Sequence, residues 1–172
     1  MKYKIRKMKA EEYDLLNDFL YEAIFVPDGA KPPEKSILQL PELQVYTDDF
    51  GSSPHDRAFV AEAEGKIVGA AWARIMKDYG HMDDQTPSLA ISLYKEYRGM
   101  GIGTALLKNL MMDLKAAGYE RVSLSVQKDN YAVKMYEKAG FTVCAEKKEE
   151  YLMAANLGSE KNGGGIYERS CI

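Results

Sequence analysis

The most informative segment of the chain is a glycine-rich turn that reads Arg98-Gly99-Met100-Gly101-Ile102-Gly103-Thr104. It follows an apolar run that predicts a strand and precedes apolar residues spaced every four positions, which predict a helix. Glycines reach positive φ and leave backbone N–H groups unshielded, and the first turn of a helix adds unpaired N–H groups and the positive end of its dipole. The turn therefore predicts a cradle for an anion such as a pyrophosphate, with Arg98 as a fixed positive charge beside it.

Two common phosphate-binding motifs do not fit this turn. A P-loop ends in Gly-Lys-Ser/Thr, whereas Gly103 is followed directly by Thr104 with no lysine. A dinucleotide-binding fingerprint needs a third glycine where Thr104 stands, and no acidic residue closes a following strand at the required place. The residues alone leave two interpretations open: an anion cradle of another class, and a turn whose glycines serve only tight packing.

The segments around the turn alternate between strand and helix patterns. Strands are predicted over Tyr3–Arg6, Arg57–Ala63, Lys66–Ile75, Ser88–Tyr94, Arg121–Val126, Thr142–Lys147 and Glu150–Leu157. Helices are predicted over Ala10–Ile24, Gly101–Ala117 and Asn130–Ala139, with Gly118 and Gly140 just past the ends of the last two. The strand–helix–strand order on either side of the second helix requires a crossover, so that strand pair is predicted to be parallel in an otherwise antiparallel sheet.

One long connection, Phe25–Pro54, holds five of the six prolines. Within it, residues 37–40 predict a helical turn that Pro41 ends. Its aromatic and aliphatic residues favour packing against the protein over disorder. The sequence as a whole predicts one domain over residues 1–157, followed by a flexible tail over residues 158–172 that contains three consecutive glycines.

Composition excludes several functional classes. The chain has 172 residues, of which 46% are hydrophobic, and 23 Lys and Arg face 26 Asp and Glu, so it lacks the basic excess of a nucleic-acid-binding protein. No apolar stretch is long enough for a transmembrane helix and the start lacks a signal-peptide core, which predicts a cytoplasmic protein with no membrane association. Cys144 and Cys171 have no metal-ligand spacing, so no metal site is predicted, and Cys144 is expected to be a small core residue.

Three motifs together resemble the GNAT superfamily of N-acetyltransferases. The turn matches the family's Arg/Gln-x-x-Gly-x-Gly/Ala signature through Arg98, Gly101 and Gly103. Leu93–Gly99 precedes it, and Met135–Phe141 follows it, in the order and spacing of the family. The resemblance, which covers about half of the chain, implies an α+β (mixed α/β) fold of three layers. That fold has a twisted, mostly antiparallel sheet of about seven strands with one splayed parallel pair, and helices on both faces.

The resemblance further implies that acetyl-CoA is the co-substrate. In the family the backbone amides of the turn hold the CoA pyrophosphate, and the preceding strand pairs with the pantetheine arm. The implied cofactor-binding residues are Ile91, Leu93, Arg98, Gly99, Met100, Gly101, Ile102, Gly103, Thr104 and Asn130. Tyr136 is similar to the family's general acid, which protonates the departing thiolate. It also lies on the apolar stripe of its helix, so a purely structural role is the alternative.

The sequence departs from the family pattern in two places. The family's pantetheine-binding asparagine lies seven residues before the tyrosine, where this chain has Asp129. Asn130, one residue later, either contacts the pantetheine or caps the helix. No carboxylate lies on residues 88–92 or 122–126, where many relatives carry a general base. The remaining candidates are a water chain and three loop residues that are also explained as solvated turn positions: His81, Asp83 and Asp84.

The predicted function is transfer of acetyl from acetyl-CoA to a primary amine of a small molecule or peptide, by a monomer or homodimer. The acceptor is expected between Phe25–Phe50 and the strand edges, near Trp72, Arg74 and Tyr79. Five carboxylates of this region either attract a cationic amine or are simply solvated: Asp28, Glu34, Glu42, Asp48 and Asp49. The alternatives are a catalytically weak acyl-CoA-binding sensor and a non-enzymatic domain whose glycine turn is structural.

Overall fold

The computed structural model describes residues 1–158, so the tail predicted over residues 158–172 lies outside the described residues but for its first position. The strands within that range are β1 (Tyr3–Lys7), β2 (Arg57–Ala63), β3 (Lys66–Arg74), β4 (Ser88–Leu93), β5 (Arg121–Gln127), β6 (Thr142–Glu146) and β7 (Glu150–Asn156). They form one seven-stranded sheet in the order β1-β2-β3-β4-β5-β7-β6. Among these neighbours β4 and β5 are parallel and the others antiparallel. The predicted fold class is confirmed.

Helices cover both faces of this sheet. The α-helices are α1 (Leu16–Ala23), α2 (Pro41–Gln44), α3 (Ile102–Ala116) and α4 (Ala132–Lys138), and short 3-10 helices lie at Ala10–Leu15, Lys35–Gln39 and Lys95–Tyr97. Side chains of α3 and α4 share one core with Leu89 and Leu124 of the sheet, while α1 shares a second core with Val60 and Trp72 on the other face. The two cores separate because successive side chains of a strand point to opposite faces. No helix of the described part of the chain is long and apolar enough to cross a bilayer.

Local signals account for most helix ends, with two differences from the sequence predictions. Gly118 and Gly140 have φ of 95° and 100° and end α3 and α4, as predicted. The helix predicted over residues 10–24 begins as a 3-10 helix and becomes α-helical only at Leu16. The helical turn predicted over residues 37–40 is a 3-10 helix that ends at Gln39, and Pro41 then begins α2, because its missing N–H costs nothing in a first turn, where that donor has no intrahelical partner.

The proline-rich connection is packed against the sheet, as its apolar content predicted. Trp72 of β3 donates its indole N–H to the Tyr46 carbonyl at 3.0 Å. Arg74 donates to the Asp48 carbonyl at 2.8 Å and forms an ion pair with the buried carboxylate of Asp56 at 3.1 Å. Trp72 is fully buried and Arg74 nearly so. Both side chains therefore anchor the connection, and neither is available at the surface for an acceptor amine.

Strands β4 and β5 separate after a single register pair. Ser88 is opposite Ser123, whose N–H donates to the Pro87 carbonyl at 3.0 Å. No further pair joins these two strands within residues 1–158, although a continued parallel register would bring Ala90 opposite Ser125. The backbone edge of β4 that faces β5 is thus open toward its C-terminal end, and the splay expected of the fold is present.

Candidate functional site

The glycine-rich turn joins the open end of β4 to the first residue of α3. Gly99 and Gly101 have φ of 75° and 80°, in the left-handed region that other side chains rarely adopt. The first hydrogen bond of α3 runs from the Ala105 N–H to the Gly101 carbonyl at 3.1 Å. Across residues 1–158, no acceptor is found for any backbone N–H from Gly99 to Thr104. Unpaired donors therefore fill the turn at the positive end of the helix dipole, an arrangement that binds phosphate.

The three glycines of the turn differ in backbone conformation and in what surrounds them. A Cβ added at Gly99 or Gly101 would meet no atom of the described residues within 4 Å, so these positions need glycine for its φ angle and not for space. A Cβ at Gly103 would lie 3.5 Å from Met135 Sδ and 3.6 Å from Leu93 Cδ1, which are ordinary van der Waals distances, so this position needs glycine neither for space nor for a positive φ. The open space at the first two glycines leaves room for a bulky anion.

The side chain of Arg98 is held by other groups of the protein. Its Nε donates to the Leu93 carbonyl at 3.0 Å, and its Nη2 lies 3.0 Å from the Glu22 carboxylate and 3.3 Å from the Glu22 carbonyl. Arg98 thus ties the turn to the C-terminal end of α1. Because the guanidinium is already paired, a direct contact between its charge and a phosphate stays a prediction.

The gap between β4 and β5 has an apolar wall on its α3 side. Ile91 and Leu93 pack into the core beneath α3, so what they offer a ligand is the open backbone edge of β4, on which the Leu93 carbonyl already accepts from Arg98. Val122, Leu124 and Val126 of β5 face the same core. A free strand edge beside an apolar wall suits an extended amide-containing chain, which can hydrogen-bond to that edge as an additional strand does.

Tyr136 lies on α4, with its ring buried in this core. The ring packs edge-on against Phe141 with the two centroids 5.7 Å apart, and 7% of the residue is exposed. The hydroxyl has no hydrogen-bond partner among the described residues. Burial raises the pKa of the phenol above its ordinary value. The hydroxyl therefore stays protonated at neutral pH and is free to donate to a ligand.

Asn130 caps the helix that carries the tyrosine. Its Oδ1 accepts a hydrogen bond from the Ala132 N–H at 2.9 Å. Of the two roles that the sequence left open for Asn130, this contact supplies the cap, because it satisfies the first N–H of α4 from two residues before it. Its amide nitrogen has no partner in the part of the chain that the structure describes. The contact with pantetheine therefore stays a prediction beside the observed cap.

The three loop residues considered as general bases have other contacts. His81 Nδ1 lies 2.8 Å from a backbone carbonyl of its own loop, and Asp83 forms an ion pair with Arg121. Asp83 and Asp84 line a polar cavity together with Gly118, beyond the C-terminal end of α3. That position is at the end of the sheet away from the open gap, which disfavours both carboxylates as groups that act on a ligand there. No cluster of three or more His, Cys, Asp or Glu within residues 1–158 forms a metal site.

Two carboxylates on the other face of the sheet were missed by sequence reasoning. Asp78 accepts a hydrogen bond from the Ser88 hydroxyl at 2.7 Å, and burial raises the pKa of its carboxyl. Glu150, the first residue of β7, accepts a hydrogen bond from the Ser125 hydroxyl at 3.0 Å. The partners lie 10 and 25 residues apart in sequence, so no local pattern signals either pair.

Gly80 holds the loop after β3 against β5. Its carbonyl accepts a hydrogen bond from the Ser123 hydroxyl at 2.6 Å, and an added Cβ would lie 2.9 Å from Ser125 N and 3.0 Å from Leu124 Cα. Since these are backbone atoms, we expect Gly80→Ala to lower the free energy of unfolding by about 1–3 kcal/mol, measured by urea titration. Gly158→Ala is the matched control, because its Cβ meets no atom of residues 1–158 within 4 Å. An equal loss of stability in both variants would contradict the close packing.

Comparison with known proteins identifies one protein family across the part of the chain that contains the candidate site. The model of the acetyltransferase (GNAT) family matches residues 18–141, which include the glycine turn and Tyr136. An N-alpha-acetyltransferase from Sulfurisphaera tokodaii is 36% identical over 115 residues, which are 58% of this chain and 68% of that protein. A mycothiol acetyltransferase from Corynebacterium glutamicum is 35% identical over 134 residues, which are 65% of this chain and 44% of that protein.

Solved structures share the fold at low sequence identity. The ribosomal-protein-S18-alanine N-acetyltransferase from Escherichia coli has a TM-score of 0.64 and 18% identity, with 95% of this chain and 100% of that chain covered. The PaiA N-acetyltransferase from Thermoplasma acidophilum, in complex with coenzyme A, has a TM-score of 0.65 and 20% identity. That match covers 91% of this chain and 99% of the other. The similarity in both cases extends over nearly the whole fold.

Proposed function

The chain belongs to the acetyltransferase (GNAT) family, and on that premise we propose that it transfers the acetyl group of acetyl-CoA to a primary amine of a small molecule or peptide. The observation that carries the proposal is the set of unpaired N–H groups from Gly99 to Thr104, directly after a strand whose edge is open. These N–H groups suit the diphosphate of CoA, and the free edge of β4 suits the amides of its pantetheine arm.

The residues around the gap supply the chemistry that acetyl transfer needs. Bound acetyl-CoA brings the acetyl group as a thioester, which an amine attacks. The open backbone of β4 offers N–H donors for the carbonyl oxygen, which gains negative charge during the attack. The protonated hydroxyl of Tyr136 donates its proton to the departing sulfur, whose thiolate has an ordinary pKa of ~8.5. The apolar wall excludes water, which strengthens these interactions and limits hydrolysis.

The acceptor amine is proposed to enter from the face of the sheet that carries α1 and the proline-rich connection. All five carboxylates of that connection are exposed: Asp28, Glu34, Glu42, Asp48 and Asp49. Exposed carboxylates attract a cationic amine over a distance without making a fixed contact, so they favour amines without choosing among them. The similarity to an N-alpha-acetyltransferase supports a peptide with a free α-amino group as the first acceptor to test.

Binding of acetyl-CoA is the first test of this proposal. At ~100 times its dissociation constant, acetyl-CoA should add ~2.7 kcal/mol to the stability of the protein, which raises Tm by about 5–10 °C for a chain of this size. Thermal unfolding with and without the ligand measures the shift. S-acetyl-N-acetylcysteamine has the thioester but no diphosphate, so it is the matched ligand and should shift Tm much less. No shift with millimolar acetyl-CoA would contradict the assignment.

Turnover separates the proposed enzyme from a sensor. Free CoA thiol should appear when acetyl-CoA is mixed with the protein and a panel of a free-amino tetrapeptide and small primary amines. Binding of acetyl-CoA without any amine-dependent thiol release would favour the alternative, a catalytically weak acyl-CoA-binding module.

A further inference from the structure

The gap between β4 and β5 has a polar face opposite its apolar one. The valine and leucine side chains of β5 face the core under α3, so Ser123 and Ser125 face the side where α1 lies. Ser92 of β4 faces the same way, because its hydroxyl donates to the Phe19 carbonyl of α1 at 2.6 Å. Tyr136 therefore lies on one face of the sheet and Ser125 on the other.

Ser125 is the first residue of this polar face beyond the point where the strands separate. Ser88 and Ser123 form the last pair, and Ser125, two residues further along, lies where Ala90 would be opposite it if pairing continued. Its hydroxyl donates to Glu150 Oε2 at 3.0 Å across β5 and β7. Strands β4 and β5 have no carboxylate of their own, and Glu150 supplies one beside Ser125 at the edge of the gap.

The carboxylate of Glu150 is sheltered but reachable. Its side chain is 19% exposed, and its Oε1 lies 3.4 Å from the exposed ammonium of Lys147. Tyr79, on the loop after β3, lies near both Glu150 and Glu42. Burial raises the pKa of its phenol, and the two negative charges raise it further. Lys128, just after β5, is paired with a different carboxylate. The charged groups near Glu150 are therefore the exposed ammonium of Lys147 and, on the other side of Tyr79, the carboxylate of Glu42.

We propose that Glu150, oriented by Ser125, accepts the proton that the acceptor amine must lose before it attacks the thioester. This inference rests on the proposed acetyltransferase function. Because Glu150 and Tyr136 lie on opposite faces of the sheet, the base meets the incoming amine from one side and the acid meets the departing sulfur from the other.

The transfer balances in protons and electrons. The ammonium group gives one proton to the Glu150 carboxylate, and the freed electron pair forms the C–N bond to the acetyl carbon. The electron pair of the breaking C–S bond goes to sulfur, which takes the Tyr136 proton. The second amine proton restores the Tyr136 phenol, and Glu150 releases its proton to solvent. The products are an amide, the CoA thiol and one proton.

The test is Glu150→Gln, assayed with acetyl-CoA and a tetrapeptide whose free α-amino group has a pKa of ~7.7–8.0. At pH 6.5, where the amine is mostly protonated, kcat at saturating peptide should fall about 100-fold. By pH 9.5, where solvent has already removed the proton, the deficit should shrink at least about tenfold. The Tm increase produced by acetyl-CoA should equal that of the unchanged protein, because Glu150 lies away from the glycine turn.

Two variants complete the design. Glu149→Gln removes the neighbouring exposed carboxylate and should leave kcat unchanged at every pH. Ser125→Ala keeps the carboxylate but frees it to turn, so kcat should fall several-fold with the same pH trend. A wild-type protein that acetylates the peptide while Glu150→Gln matches it, or shows a deficit that is constant with pH, contradicts this inference alone. A wild-type protein that fails to bind acetyl-CoA, or that acetylates no amine, contradicts the function on which it rests.

Discussion

Gly101→Asp is expected to weaken acetyl-CoA binding at least about 100-fold, a loss of ~2.7 kcal/mol or more. Gly101 immediately precedes α3 among the unpaired N–H groups of the turn, and a Cβ at this position projects into open space. A carboxylate there lies against the diphosphate, and like charges about 4 Å apart near a protein surface repel by up to ~4 kcal/mol. Isothermal titration calorimetry with acetyl-CoA measures the loss, which should diminish at high ionic strength.

Gly101→Asn is the matched control for this experiment. Asparagine and aspartate have nearly the same shape and are the residues that best tolerate the left-handed region after glycine, so both adapt to a φ of 80° at similar cost. The neutral variant should therefore lose less than about tenfold in affinity. If both variants bind acetyl-CoA as the unchanged protein does, the turn is not the phosphate site. If both lose affinity equally, the backbone conformation and not the charge is responsible.

Tyr136→Phe is expected to lower kcat by about 100-fold while acetyl-CoA affinity changes less than twofold. The substitution removes one O–H group and keeps the ring that packs on Phe141. Since burial raises the pKa of the phenol, Tyr136 carries its proton throughout pH 7–9 and the deficit should be constant over that range. The sign follows from the direction of the shift, because a raised pKa extends the protonated form to higher pH. Steady-state release of CoA thiol measures kcat.

The thermal stability of Tyr136→Phe shows whether the Tyr136 hydroxyl has a chemical role or a structural one. The hydroxyl has no partner among the described residues, so its removal should leave Tm unchanged within about 1–2 °C. Tyr13→Phe, at a partly buried tyrosine that packs on Phe50 in the other core, is the control and should keep full activity. A loss of acetyl-CoA binding in Tyr136→Phe would make the tyrosine a ligand contact, and unchanged kcat would leave it a core residue.

Much of the fold was predictable because its signals are local. The seven strands fall within one residue of their predicted ends, since alternation of apolar and polar residues and flanking turn residues act over a few positions. The glycine turn was predictable for a related reason: Gly99 and Gly101 adopt the positive φ that glycine allows at no cost. The predicted helix over residues 10–24 was less accurate, because apolar spacing does not distinguish a 3-10 start from an α-helical one.

Only those parts of the candidate site that lie within one local segment of the chain were predictable from the sequence. The turn and Tyr136 each lie on a single strand–helix or helix segment, so their order along the chain was informative. Trp72, which was expected near the acceptor, is buried in the core, and its partner, the Tyr46 carbonyl, is 26 residues away and had no sequence signal. The sequence placed the candidate bases on the loop after β3, whereas the base proposed from the structure, Glu150, lies on β7 and contacts Ser125 of the neighbouring strand.

The amino-acid sequence is sufficient for the order of elements, the parallel crossover, the glycine turn and the position of Tyr136, because each depends on residues a few positions apart. Long-range packing is needed for the rest. It pairs Arg98 with Glu22, 76 residues away, ends the β4–β5 ladder after one pair, and brings the Glu150 carboxylate to Ser125. These contacts arise from sheet register and from which faces the helices cover, and no local spacing in the chain encodes that information.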